Sequence, residues 1–449
     1  MEVTRKLAAF VVAHEASAIP DAVRHEAARS FLNWLGCAVG ASRHETVERA
    51  IQALAPFSGP PQATVLGRGE RLDVMHAALM NGITSHTFDF DDTHLKTVIH
   101  PSGPVASAIL ALAEHRPVSG ADFLHAFILG VEVECRIGNA VYPEHYNVGW
   151  HITGTAGVFG AAAAAGRLLG LNEQQMVWAL GIAATQSSGL REMFGTMCKP
   201  FHPGNAARNG LLAALLAQRD FTSSNQAIEA KRGFAHVLST AFRPEEITHG
   251  LGESWEIALN TYKPFACGIV IHPIIDACIQ LRNEHGLKAQ DIASIEARVH
   301  PLVLELTGKK TPQVGLEGKF SVYHSAAVAI IHGAAGEAEY GDGVVTAPEV
   351  VALRDRVTAV EDRSMHEDQT RVAIKLRDGR TLEKFVEHAI GSLDRPMSDA
   401  ALEAKFGAFA KGILSDRECE HLIRLCWGIE KLKDAGELAR ASVPGARNG

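Results

Sequence analysis

Residues 86–104, HTFDFDDTHLKTVIHPSGP, contain three histidines and three aspartates. Carboxylates and imidazoles are the side chains that most often move protons near neutral pH. If the apolar helix that precedes this stretch runs through it, His86, Asp89 and Thr93 fall at i, i+3 and i+7 and share one helix face. The stretch therefore predicts an ionisable face beside a buried helix.

Three loops of the chain place basic side chains at the start of a predicted helix. Pro101 is typical of a first helical position, which puts His100 at a helix N-terminus. The segments NVGWHITGTAGVFG and MCKPFHPGNAARNG put His151, and Lys199 with His202, at similar starts. Positive charge at a helix N-terminus attracts anions and disfavours an imidazolium, so a neutral histidine there is a candidate general base. If the three starts converge, they form a pocket for a small polycarboxylate.

The backbone around Lys199 is expected to be extended. Lys199 precedes Pro200, and a residue before proline is biased away from the helical region. The helix that follows is predicted to open near Asn205, beyond both basic side chains of this segment.

Each of these features also has an explanation that involves no catalysis. A single histidine is more often a core or surface residue, and Asp91 with Asp92 fits a helix cap or a solvated turn. The segment DFDDTH offers ligands for a divalent metal, but neither an H-x-x-x-H pair nor a second acidic cluster accompanies it. The sequence has no phosphate-binding loop, dinucleotide fingerprint or G-x-S-x-G elbow. We therefore expect no metal and no organic cofactor.

Length and composition narrow the class of protein. A chain of 449 residues is too long for one ordinary core, so two domains are expected. Hydrophobic residues make up 47% of the chain, yet no run reaches the ~18 apolar residues of a membrane helix. The formal net charge of −8 argues against a nucleic-acid partner. Seven cysteines without a CxxC pair fit reduced thiols and a cytoplasmic location.

The spacing of apolar residues changes along the chain. Up to about residue 260, steps of three and four residues predict one helix after another. Between 263 and 397, two helical segments alternate with strand patterns, including a hairpin that turns at Asp378-Gly379. The tail is helical again. The predicted fold class is mainly α with a second α+β domain: a large helical domain built from both chain ends, 1–262 and 398–449, and a smaller α+β lid domain, 263–397.

Six segments, in order along the chain, resemble the MmgE/PrpD family. They are SHTFDFDDTH, HPSGPVASAILALAE, GWHITGTAGVFGAAAAAGRLLGL, KPFHPGNAARNG, KPFACGIVIHPIIDA and KFSVYHSAAVA. The family includes 2-methylcitrate dehydratase, cis-aconitate decarboxylase and iminodisuccinate epimerase. The resemblance implies a homodimer and cofactor-free chemistry on a small polycarboxylate, in a site between the two domains.

The resemblance also implies which residues form the site. Those that match family motifs are Asp89, Thr93 and His100 in the polar stretch, His151 in the G-[FW]-H position, Lys199 before the histidine–glycine helix start, and Lys263 at the opening of the lid segment. The residues expected to take part in catalysis are His100, His151, Lys199, Tyr146 and His272. Those expected to bind substrate are Asp89, Thr93, His86, His202 and Lys263.

Two departures from the family pattern affect the predicted reaction. Gly268 stands where the animal decarboxylase has a catalytic histidine, and His272, four residues on, is the nearest substitute. One residue more separates Thr93 from His100 than in that decarboxylase. The segment EHYNVGWH, with Tyr146, looks closest to the iminodisuccinate epimerase branch. We therefore expect an iminodisuccinate-type epimerase, with 2-methylcitrate-type dehydration or cis-aconitate-type decarboxylation as alternatives. A non-catalytic carboxylate-binding protein is the alternative of another class.

Overall fold

Helices dominate the first part of the chain in the computed structural model, which describes residues 2–445. The helices are α1 Val3–Ala13, α2 Asp21–Gly40, α3 Glu45–Leu54, α4 Val74–His86, α5 Ser102–His115, α6 Gly120–Val141, α7 Glu144–Val148, α8 Ile152–Leu169, α9 Glu173–Ala184, α10 Cys198–Ala217, α11 Phe234–Leu238 and α12 Pro244–Thr248. Four short strands accompany them: β1 Ala63–Thr64, β2 Arg71–Leu72, β3 Asp92–His94 and β4 Asn260–Tyr262.

Helix α8 lies at the centre of this bundle, with α5, α6 and α10 packed against it. Every residue from Ile152 to Gly166 is buried, as expected for a helix of small residues surrounded by other helices. A Cβ on Gly210 of α10 would lie 2.5 Å from the Cβ of Ala161, so the two helices can come this close only through small residues. Helix α8 is long and apolar enough to cross a membrane, but 89% of that window is buried inside the protein, which indicates a core helix.

A four-stranded mixed sheet lies in the following part of the chain. Its strands are β5 Ile292–Val299, β6 Val357–Glu361, β7 Thr370–Leu376 and β8 Thr381–Val386, in the order β6-β5-β7-β8. Strand β5 is parallel to β6 and antiparallel to β7, and β7 and β8 form the predicted hairpin, with Gly379 at a φ of +94° in its turn. The helices of this part are α13 His272–His285, α14 Pro301–Thr307, α15 Gly315–Gly318, α16 Val322–His332, α17 Asp342–Val345 and α18 Pro348–Arg354.

The last helices, α19 Asp399–Ala410, α20 Asp416–Trp427 and α21 Gly436–Ala441, contact the N-terminal bundle. A Cβ on Gly36 of α2 would lie 2.8 Å from the Phe406 ring of α19, so this contact needs glycine. One cluster of buried apolar residues draws on 3–262 and 402–439, and a second on 265–389 with Cys37 and Phe90. The predicted fold class, mainly α with a smaller α+β part, is confirmed. The domain boundaries stay a prediction.

Candidate active site

The polar stretch and the starts of three helices converge on one cavity. Strand β3 pairs antiparallel with β4 and leads into α5, while α8 and α10 begin on the same cavity. The side chains that line it are Asp89, Thr93, His100, Tyr146, His151, Lys199 and Lys263, with Val98, Phe194, Ile269, Val270, Leu306, Thr307, Phe320 and the backbone of Gly268. Most of the residues predicted from the sequence therefore meet in one place. The exceptions are His86, His202 and His272.

The backbone that carries Asp89 and Thr93 differs from the predicted continuous helix. Helix α4 ends at His86, and Asp89 takes the left-handed φ of +51°. This conformation is uncommon for residues other than glycine but is tolerated by aspartate. The chain then enters β3, so Asp89 and Thr93 reach the cavity from a turn and a strand, and the prediction of a shared helix face is wrong.

The backbone at Lys199 is also not the predicted extended one. Helix α10 begins at Cys198, seven residues before Asn205, and Lys199 lies in its first turn. Pro200 is tolerated there because the first N–H groups of a helix have no helical acceptor, so a missing N–H costs nothing. Lys199 therefore stands on a rigid helix start.

Asp89 is the electrostatic centre of the cavity. Its Oδ1 atom accepts hydrogen bonds from Nζ of Lys199 at 2.7 Å and from Nζ of Lys263 at 2.8 Å. Burial alone would raise the pKa of Asp89, but the two ammonium groups hold it well below its usual value. Burial lowers the pKa of Lys199 below its usual value, and Asp89 offsets part of that shift. The carboxylate is therefore what favours a charged Lys199 in a buried place.

His86 joins this ion pair to a second carboxylate. Its Nε2 lies 3.0 Å from Nζ of Lys199, and its Nδ1 lies 2.8 Å from Oδ2 of Asp91. An ammonium can only donate, so Nε2 of His86 accepts and its Nδ1–H donates to Asp91. Burial lowers the pKa of His86, which favours this neutral form. His86 therefore supports Lys199 from behind the cavity.

His100 has the geometry of a general base. Its Nδ1 lies 2.8 Å from the backbone oxygen of Asp92 and 3.3 Å from Oγ1 of Thr93. Because a carbonyl oxygen only accepts, Nδ1 carries the proton and Nε2 keeps its lone pair. Burial, opposed by Asp91 and reinforced by Lys263, holds the pKa of His100 well below its usual value. A neutral imidazole with a free lone pair therefore lines the cavity.

His151 shares a proton with His202. The two Nδ1 atoms are 2.8 Å apart, so one donates and the other accepts. Burial lowers the pKa of His202 to about 4 and holds that of His151 well below its usual value. With both rings neutral, Nε2 of His151 is an acceptor when His151 donates to His202, and it carries a proton when His202 is the donor. His151 can therefore accept or donate a proton, although His202 itself stays behind the wall.

Tyr146 brings a phenol to the cavity beneath an arginine. The Arg191 guanidinium lies 4.1 Å from the centre of the Tyr146 ring, donates to the Tyr146 backbone oxygen at 2.9 Å, and pairs with Glu305 at 2.7 Å. Burial raises the pKa of Tyr146, so its O–H stays protonated and can donate. Sequence reasoning missed Arg191, because a single arginine outside any motif gives no signal.

Asp91 and Asp92 are buried and not in a solvated turn. Asp92 Oδ2 accepts hydrogen bonds from Ser102 Oγ and Asn260 Nδ2, both at 2.6 Å. Burial and the neighbouring Asp91 raise the pKa of Asp92 to about 7. The run of aspartates was the available signal, but spacing alone does not separate a solvated turn from a buried network.

His272 does not line the cavity. It stands at the start of α13, edge-on to the Phe265 ring with the ring centres 5.3 Å apart, and lines a neighbouring cleft together with His300. Burial, with the nearby Lys263, lowers the pKa of His272 to about 3. Gly268, by contrast, forms part of the cavity wall. The structure therefore does not bring His272 to the place of the missing histidine.

Two groups of side chains in the described residues have ligand atoms within 4.8 Å of one another. They are His86, His100 and His151, and His86, Asp89, Asp91 and His100. Such spacing suits a divalent cation. However, His86 already accepts from the Lys199 ammonium at 3.0 Å, and that charge repels a second cation. Independence from metals stays a prediction.

Relatives match this chain over most of its length. The chain is 28% identical to cis-aconitate decarboxylase of Aspergillus terreus, over 94% of this chain and 91% of the relative. It is 28% identical to the human cis-aconitate decarboxylase, over 97% and 93%. It is 26% identical to 2-methylcitrate dehydratase of Cupriavidus necator, over 83% of each.

Family models match both parts of the chain. The MmgE/PrpD N-terminal domain matches residues 5–247, and the MmgE/PrpD C-terminal domain matches residues 265–429. The first four of the six motifs lie within the N-terminal match, and the last two lie in or at the start of the C-terminal match. The chain therefore belongs to the MmgE/PrpD family.

Proposed function

We propose that this protein moves a proton at a carbon next to a carboxylate of a small di- or tricarboxylic acid, without a metal or an organic cofactor. One observation carries the proposal: a neutral histidine with a free Nε2, His100, lines the same cavity as the buried ammonium groups of Lys199 and Lys263. A base and fixed positive charge are the two requirements for ionising such a weak carbon acid.

The residues divide the work as follows. Lys199 uses two of its three N–H donors on Asp89 and His86, which leaves one for a substrate carboxylate. His100 takes the proton through Nε2. Negative charge then builds on the carboxylate next to the reacting carbon, where the ammonium groups stabilise it. Tyr146 is a proton donor that lines the same cavity.

Lyase chemistry is the first candidate for the overall reaction. The relatives named above are a decarboxylase and a dehydratase, which supports an elimination from a small polycarboxylate. In dehydration, His100 removes a proton from carbon and an acid such as Tyr146 protonates the leaving hydroxyl. In decarboxylation, carbon dioxide leaves and an acid delivers a proton to the resulting carbanion.

Epimerisation of an iminodisuccinate-type dicarboxylate is the second candidate. Gly268 offers no proton donor where the decarboxylase resemblance expects a histidine, and His272 lies in a different cleft. Epimerisation needs only a base and an acid on opposite sides of one carbon. The placement of His100, His151 and Tyr146 on one cavity is compatible with that requirement.

Proton NMR in deuterated water separates these reactions. The enzyme is incubated in turn with cis-aconitate, 2-methylcitrate and iminodisuccinate. Loss of carbon dioxide from the first, or a new unsaturated product from the second, supports a lyase. Deuterium at the α-carbon of the third, with loss of optical purity, supports the epimerase. Tight binding of a substrate without any turnover would instead indicate a carboxylate-binding protein.

A further inference from the structure

Two lysines outside the cavity bracket Asp89 along the chain. Nζ of Lys319, on the loop before α16, donates to the backbone oxygen of Phe88 at 2.8 Å. Nζ of Lys405, on α19, donates to the backbone oxygen of Phe90 at 2.6 Å. The residues immediately before and after Asp89 are thus each held by an ammonium group. Asp89 itself has the left-handed φ of +51°, which needs its neighbours fixed.

The same two ammonium groups also hold the segment that carries Lys263. Lys405 donates to the backbone oxygen of Lys263 at 2.9 Å. Lys319 donates to that of Ala266 at 3.0 Å. An ammonium has three donors, so one lysine can join two backbone oxygens and still reach a side chain. For Lys405 the third acceptor is Oδ1 of Asn33, at 2.7 Å.

We infer that Lys319 and Lys405 are positioning residues for the reaction. Together they clamp the turn around Asp89 against the segment that begins at Lys263. The clamp sets the single oxygen of Asp89 where it meets both cavity ammonium groups, and so keeps Lys199 charged and in place. Neither clamp lysine lines the cavity, so each acts only through Asp89 and Lys263.

A double-mutant cycle tests this inference. The variants are Lys405→Met, Asp89→Asn and the two combined. The matched control is Lys384→Met, because Lys384 lies on strand β8 and pairs with Glu284 at 2.6 Å. Turnover and urea unfolding are measured for all of them. We expect Lys405→Met to lower kcat ~10–100-fold in the wild-type background but less than ~2-fold when Asp89 is already replaced, because coupled residues are not additive.

A second readout separates positioning from a general loss of stability. Asp89 raises the pKa of Lys199. If the carboxylate is displaced, the basic limb of the pH profile of kcat, where Lys199 loses its proton, should therefore shift to lower pH. A general loss of stability leaves that limb in place. If Lys405→Met folds poorly, Asn33→Ala loosens the same ammonium while leaving its charge.

Two results would overturn the inference. One is an equal fall in kcat when Lys405→Met is made in wild type and in Asp89→Asn. The other is a pH profile in which the limb assigned to Lys199 does not move. The inference rests on the proposed function, but the unfolding measurements test the clamp independently of any activity. If no substrate is turned over, the proposed function fails, but non-additive shifts in the urea midpoint for Lys405→Met and Asp89→Asn would still support the clamp, and additive shifts would contradict it.

Discussion

The substitution Asp89→Asn perturbs the centre of the cavity with little change of shape. Asparagine tolerates the left-handed φ of +51° as aspartate does, so the substitution adds no backbone strain. The substitution removes the negative charge that Oδ1 presents to Lys199 at 2.7 Å and to Lys263 at 2.8 Å. Two buried ammonium groups are then left without their common counter-ion.

The size of the effect follows from this geometry. Removing one partner of a buried ion pair costs about 3–5 kcal/mol. Two pairs share the carboxylate, but deprotonation of Lys199 limits the total, because burial already lowers its pKa. We expect the free energy of unfolding to fall by ~3–5 kcal/mol at pH 7, and not by twice that amount.

The loss should also depend on pH. In the folded variant the pKa of Lys199 lies below its unfolded value of ~10.4. Between these two values the unfolded chain binds more protons than the folded one, so the stability of the variant rises with pH. The difference between variant and wild type is therefore largest near neutral pH and narrows as the pH approaches ~10.

Urea unfolding followed by circular dichroism, at pH 7 and pH 9, measures both effects. The control is Glu284→Gln, which removes the surface partner of Lys384 and should change stability by less than ~1 kcal/mol. If Asp89→Asn costs no more than this control, the two ammonium groups do not depend on Asp89 and the electrostatic reasoning is refuted.

Four further predictions follow from the same site. His151→Ala should lower turnover ~10²–10⁴-fold in a steady-state assay with the urea midpoint nearly unchanged, as for other acid–base residues; a turnover within twofold of wild type would exclude a catalytic role. The pH profile of kcat/KM should show no acid limb near pH ~6.5, because burial holds the pKa of His100 well below that value and its base form persists on acidification; a limb at that pH would contradict a buried neutral base. Prolonged chelation should leave activity intact, and activity that is lost and then restored by one divalent ion would show a metal enzyme. Light scattering at micromolar concentration should report a homodimer, and a monomer would disprove this expectation from the family resemblance.

Elements with a strong apolar period could be predicted from the sequence. The apolar steps of three and four residues predicted helices such as α8, and the Asp378-Gly379 pair predicted the β7–β8 hairpin. The helix starts beside His100 and His151 were also predicted, the first of them from Pro101. These signals are local, and each depends on a few neighbouring residues.

Features that depend on tertiary contacts could not be predicted. The left-handed turn at Asp89 is held by distant lysines, and no local pattern indicates it. Pro200 suggested an extended Lys199, although a first helical turn also accepts proline. The offset between His272 and Gly268 depends on how the chain turns into α13. All seven cysteines are free, and six of them are buried. A cytoplasmic location nevertheless stays a prediction.

The most direct test of the central claim is exchange of substrate protons with solvent. The enzyme is incubated in deuterated water with the polycarboxylate that it turns over best, and deuterium on the carbon next to a carboxylate is followed by mass spectrometry. We expect deuterium at one position with wild-type protein and a ~10²–10⁴-fold slower incorporation with His100→Asn. Incorporation by the variant at the wild-type rate would contradict proton transfer by His100. Turnover in which no carbon gains deuterium would contradict it for the reactions that add a proton to carbon, which are decarboxylation, epimerisation and, for a dehydratase, hydration of the unsaturated acid.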